Sequence, residues 1–378
     1  MHVSYTRNDI AKALKKTIKH EFIGVLPLPM ADNCFYTRED ILKTVMFSIT
    51  EDVYVAYGSQ RLQEHRTNIP SDDTIFHHLN TLTVNTVFAS FQQVNTMLLH
   101  QAAHNGVFGT PLECSVDIHK NPWYGTARDI HVLGMERVRG TNYGHGYASI
   151  ECVNTKARLT LAALPLHQFT TNRQIIDFLV TEARLWANIS RLFLDRGFFD
   201  MDSVDTLSRL DVLFVIPAIH NAKVKALITA AHYQSEQIPG TDCYAWITPY
   251  TMTKGKHSTT VTLVVILSPP KKPGEPLDEF AYITNIPVTL GDALELAESY
   301  RHRWGIETGY RVKEQVRGRT CSRHYPVRLL FQLLSILLYN LWQLCNLDVS
   351  GYLHWEKRTY VVILPRFKDI IADILLRG

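Results

Sequence analysis

The sequence predicts an α/β fold: a mixed sheet flanked by helices, interrupted by a β-rich insertion and preceded by an all-α N-terminal domain. Three observations predict it. Residues 1–108 repeat apolar residues at helical spacing without strand alternation, residues 109–219 read in the order β-β-β-α-β-α-β, and residues 220–287 turn strand-rich before helix resumes. With 378 residues, 46% of them hydrophobic, the chain is long enough for more than one domain and a sizeable core.

Within 1–108, "REDILKTVMFSI" has a helical apolar period, and "PSDDTIFHHLNTL" opens with Ser71 as a cap and two acids in its first turn. Two short helices around a turn there fit a helix-turn-helix or a small bundle equally well. The texture changes at Gly109. "LECSVDIH" reads as a strand ending in Asp117, followed by the turn-rich "KNPWYG"; "YASIECV" and "ARLTLAAL" supply two further strands. "TTNRQIIDFLVTEARLWANI" is an amphipathic helix, "RLFLDRGF" a strand stopped at Asp195-Arg196-Gly197, and "DVLFVIPA" a buried strand. In the insertion, "CYAWITPY", "TTVTLVVIL" and "FAYITNI" are strands, with Trp246 in the first read as a core residue ahead of the alternative its location offers, a ring for stacking on a flipped base. Residues 288–347 resume as helix, beginning with one long helix over "LGDALELAESYRHRWGIETGYRVKEQ", and 348–378 form a C-terminal tail.

Charge is distributed unevenly. The net charge is only +3, yet residues 300–328 hold seven Arg and one Lys against two Glu, a local excess of about six that suits a polyanion partner. The six cysteines are far apart and form no C-x-x-C pair, as expected of a reduced, intracellular protein. The N-terminus lacks the apolar core of a secretory signal. Leu329–Leu347 is 19 residues without charge, but Gln332, Ser335, Asn340, Gln343 and Asn346 suit a buried core helix better than a membrane span. His100 and His104 have an i, i+4 zinc spacing with no adjacent Glu or evident third ligand.

Three carboxylates stand out by position: Asp117 and Asp195 at strand ends, and Glu307 within the long helix. Adjacent strands can bring two such ends together and a helix across the sheet can offer the third. Clustered carboxylates repel one another unless they hold a cation, and Mg²⁺ accepts carboxylate and phosphate oxygens. Tyr300, Arg303 and Glu307 at i, i+3 and i+7 share one face of an ideal helix, with Arg311 close by.

These residues carry a resemblance. Tyr300, Arg303 and Glu307 match the Y-(2)-R-(3)-E part of the Y-(2)-R-(3)-E-(6)-K signature of DDE insertion-sequence transposases of the IS-four-like group, while "VDIHKNPWYG" and "LFLDRGFF" resemble that family's two aspartate segments. The resemblance covers residues 109–347 and implies an RNase H-like catalytic domain in two parts (109–219 and 288–347), split by the 220–287 insertion and preceded by a helical DNA-binding domain. It implies that Asp117, Asp195 and Glu307 bind two Mg²⁺ ions, with Mn²⁺ able to substitute, to cleave DNA at element ends and join them to target DNA. Tyr300, Arg301, Arg303, Arg311, Lys313, Arg317 and Arg319 then face double-stranded DNA. A homodimer in the synaptic complex, a cytoplasmic location, nucleoid-associated on DNA, and no membrane partner follow from the same likeness. The family's lysine falls at 314, where this chain has Glu314, with Lys313 one place early. An inactive transposase-derived DNA-binding protein and a related RNase H-like metal nuclease are the alternatives.

Overall fold

The fold, described from a computed structural model, covers residues 7–26, 28–155, 157–270, 272, 274–352 and 361–377. The described residues before 109 hold helices only: α1 (Arg7–Thr17), α2 (Arg38–Thr50), α3 (Val55–Gln63), α4 (Asp72–Leu79) and α5 (Val84–His104), with a π-helical turn after α1. Side chains set their starts. Thr37 and Asp40 close a reciprocal capping box on α2, and Ser71 and Thr83 accept the Thr74 and Thr86 backbone N–H groups on α4 and α5.

The sheet follows in ten strands: β1 (Leu112–Pro122), β2 (Val132–Val138), β3 (Thr141–Cys152), β4 (Thr160–Pro165), β5 (Ile189–Leu194), β6 (Phe214–Pro217), β7 (Glu236–Gln237), β8 (Tyr244–Lys254), β9 (His257–Ser268) and β10 (Asp278–Thr284). Their order is β2-β3-β1-β5-β6-β10-β9-β8-β7, with β4 pairing β3. β1, β5 and β6 run parallel, with α6 (Asn172–Arg184) leading from β4 into β5 and α7 (Met201–Arg209) from β5 into β6; the remaining pairs are antiparallel. The strands of 220–287, reached through α8 (Ala222–Gln234), do not leave this sheet, because β10 pairs with β6 and continues it outward.

Both faces of the central strands are covered where they read as apolar runs, residues 192–194 of β5 and 214–216 of β6. Along β5, Leu192 and Leu194 join the main core while Phe193 joins a second one with Val215, Val264 and Leu296. β9 alternates the same way, Leu263 and Val265 to one side, Val264 and Ile266 to the other.

The expected single helix after 288 divides into α9 (Ala293–Arg301) and α10 (Trp304–Glu314). At the junction the His302 and Arg303 N–H groups bond to the Ser299 and Tyr300 carbonyls, so the ladder tightens by one residue. Tyr300 and Glu307 therefore belong to different helices. α11 (Tyr325–Tyr352) has a segment long and apolar enough to cross a membrane, yet 94% of that segment is buried, against α5, α10 and β4 among others. Its polar residues explain the choice. Asn340, fully buried, donates to Asn95 Oδ1 (2.8 Å) and the Thr160 carbonyl (2.9 Å) and accepts the Thr160 N–H (2.9 Å). The expected tail contains α12 (Leu364–Arg377), which docks on α1 and α2.

Candidate active site at the parallel strand ends

The parallel register pairs Val116 of β1 with Leu194 of β5, so the next residues, Asp117 and Asp195, sit side by side; Asp195 follows the end of β5, whereas β1 runs on to Pro122 along β3, so Asp117 lies within its strand and not at the expected end. Asp195 caps the following turn: its Oδ1 accepts the Gly197 N–H at 2.7 Å. A Cβ at 197 would approach that oxygen to 2.9 Å, which accounts for the glycine. Burial raises the Asp117 pKa to about 6, and Asp195 and, less strongly, Glu307 push the same way against Arg303 and the Ile118 N–H. Burial also raises Asp195, opposed by the Gly197 N–H and by Arg303. Two desolvated, mutually repelling carboxylates form an oxygen-rich site with unmet demand for positive charge.

Glu307, half-exposed on α10, is joined to this pair through Arg303. The guanidinium bonds to Glu307 and reaches Asp117 Oδ1 at 3.9 Å, while its Nε is buried without a partner. Among the described residues, no group of three His, Cys, Asp or Glu side chains is arranged to hold an ion in this conformation. The donors nonetheless suit a hard divalent cation, because they are carboxylate oxygens and one or two carboxylates suffice when phosphate supplies the rest.

A row of side chains fixes α10 to the sheet. The Tyr310 hydroxyl lies 2.7 Å from Ser149 Oγ and 3.4 Å from the Asp117 carbonyl, with its ring stacked on His119. One turn on, Lys313 pairs with Glu151; both are 1% exposed, and the Tyr310 and Tyr339 rings flank the ammonium. Gly309 leaves room for that carboxylate, since a Cβ there would lie 2.9 Å from Glu151 Oε2. Glu314 bonds to His119 (3.0 Å) and Arg317 (2.9 Å), and Arg317 to Asn121.

The residues expected to form a basic face thus separate. Arg301, Arg311 and Arg319 are exposed, Arg319 beside Asp52 at 3.4 Å, and Arg317 is half-buried. Lys313 is turned inward, and Tyr300 is buried with its hydroxyl donating to the Leu194 carbonyl at 3.2 Å. Tyr300 therefore supports the strand end that precedes Asp195. Sequence reading missed Glu151, Ser149, His119 and Tyr310; the one available signal was a charged Glu151 inside the apolar run "YASIECV". Trp246 packs half-buried against the core, and His100 lies edge-on to Trp186.

A family model described as "Transposase DDE domain" matches residues 145–341. The match includes Asp195 and Glu307 and begins beyond Asp117. No curated protein matches the chain.

Proposed function

Because the chain belongs to the transposase DDE-domain family, we propose that it is a cut-and-paste enzyme of the IS-four-like group, cleaving DNA at element ends and transferring the freed strand to target DNA. The observation that carries this reading is the meeting of Asp117 and Asp195 on adjacent parallel strands with Glu307 tied to them through Arg303. Asp117 and Asp195 would hold the divalent cations, Mg²⁺ or Mn²⁺, and Glu307 would join them once Arg303 releases it. Bound there, the cations lower the pKa of an attacking water or 3′-hydroxyl and offset charge on the leaving oxygen.

The protein's own groups do the positioning. Arg303 exchanges Glu307 for a DNA phosphate, which its planar fork can grip through two parallel hydrogen bonds. Tyr310 and Lys313 keep α10 at a fixed height above β1 and β3. Exposed Arg301 and Arg311 add phosphate contacts that hold the duplex without reading its sequence. The N-terminal helices would contribute DNA binding, and a homodimer would bring two ends together.

One observation favours a second reading, a transposase-derived DNA-binding protein that does not cut: Glu314 stands at the family's lysine position and engages His119 and Arg317 instead. Incubating the protein and Mg²⁺ with DNA carrying the sequences that flank its own coding region separates the two. Nicking followed by joining, lost in Asp195→Ala with DNA binding kept, supports the enzyme. Binding without nicking supports the alternative, and nicking that survives Asp195→Ala removes the assigned site.

A further inference from the structure

Beyond the acid cluster lies a cleft of about 730 Å³ between the end of β1, the α10–α11 loop and the start of α3. We propose that it binds a nucleotide of the DNA strand running on from the cutting site, phosphate on arginine and base on tyrosine; this rests on the transposase reading above.

The charge is suited to one phosphodiester. Arg317, Arg319, Arg323 and Arg328 line the cleft against Asp52 and Glu314. The two acids are taken up by Arg319 and Arg317. Arg328 spends its Nε on the Ser322 carbonyl and lays its guanidinium 4.6 Å from the Trp123 ring centre, and Arg323 is exposed with no acidic partner among the described residues. Two cations therefore remain for an anion.

Aromatic surface is present on both sides. Tyr54 (48% exposed) enters from the helical region and Tyr124 (69% exposed) from the end of β1, each a ring on which a base can stack. At the wall, His145 is 2% exposed and its Nδ1 has no hydrogen-bond partner, a buried polar atom unsatisfied within the protein.

Position ties the cleft to the chemistry. Asn121 lies four residues along β1 from Asp117, about 13 Å at strand rise, and Glu314 seven residues along α10 from Glu307, about 10 Å at helical rise. At roughly 3.4 Å per nucleotide, a strand leaving the acids reaches the cleft after three or four nucleotides.

The test uses the full chain and a fluorescein-labelled duplex of its own flanking DNA carrying a single-stranded extension of six nucleotides at the element end, with affinity measured by anisotropy over a range of salt. Arg323→Ala is expected to weaken binding and lower the slope of log K against log salt by about 0.9, the loss of one phosphate contact. Tyr124→Ala and Tyr54→Ala are expected to weaken it about tenfold each with the slope unchanged, as for one lost base stack. Lys225→Ala, on the exposed side of α8, should change neither, and thermal unfolding of all four should match wild type because the side chains are exposed. If the three cleft variants bind with wild-type affinity and slope while the wild-type protein cuts, the cleft assignment is overturned and the transposase reading stands. If the wild-type protein neither binds nor cuts this DNA, the reading itself falls and the cleft with it.

Discussion

Replacing Lys313 by Met asks whether this lysine serves the fold or the DNA. The ammonium and the Glu151 carboxylate are each 1% exposed and paired with one another. Met keeps the length and apolar stem of lysine but leaves Glu151 buried beside two aromatic rings without its cation. Breaking such a pair from one side costs about 3–5 kcal/mol, because the remaining charge has lost both water and partner. That is a hundred- to several-thousand-fold shift in the folding equilibrium, visible in urea unfolding as a lower midpoint at unchanged slope. Removing both charges in Glu151→Leu/Lys313→Met should return stability to near wild type, since no uncompensated ion remains. A Lys313→Met protein within about 1 kcal/mol of wild type that instead loses DNA affinity and salt dependence would place the ammonium on phosphate and refute the buried-pair account.

Three further outcomes are expected. Asp117 has a folded-state pKa of about 6 against an ordinary 3.8, so the fold binds its proton more tightly than the unfolded chain does, and stability falls as pH rises through this window. Without divalent cation, Asp117→Asn should therefore be more stable than wild type at pH 8, by up to about 3 kcal/mol, and equal to it below about pH 3.8, and the variant should be unable to cut; added Mg²⁺ should narrow the pH 8 difference by stabilising wild type alone. Arg303→Ala removes a positive neighbour of Asp117, so without divalent cation the aspartate should titrate at a higher pH than in wild type, measurable by carboxyl NMR. Asn340→Leu strands the Thr160 N–H and the Asn95 oxygen and leaves the Thr160 carbonyl only the 3.4 Å bond from Asn95 Nδ2, and should cost several kcal/mol in urea unfolding at about 1–3 per unpaired group, with DNA contacts untouched.

The two aspartates were legible because each follows buried apolar residues on a strand, Val116 on β1 and Leu194 on β5, but only β5 ends there; β1 continues to Pro122 because β3 pairs with it, and nothing local to the sequence marks that partner. The sequence hid β2, whose Gly134, Glu136 and Arg137 break alternation and whose register with β3 shifts between Gly134 and Val138. The break between α9 and α10 carries no Gly or Pro; its cause is tertiary, with Tyr300 drawn down to Leu194 and Arg303 across to Asp117. Lys313 was misread for a related reason. Its partner is 162 residues away, and a surplus of local positive charge says nothing about which cation turns inward. The continuity of the 220–287 strands with the main sheet was equally invisible, because strand pattern marks pairing competence without naming the neighbour.

The central claim is that Asp117, Asp195 and Glu307 act as one cation site, and titration of the protein with Mn²⁺ followed by electron paramagnetic resonance tests it most directly. The account predicts that wild type binds Mn²⁺, that Mg²⁺ competes for it, and that Asp117→Asn, Asp195→Asn and Glu307→Gln each weaken binding at least tenfold while the fold is retained. Mn²⁺ binding at wild-type strength in all three variants would contradict it.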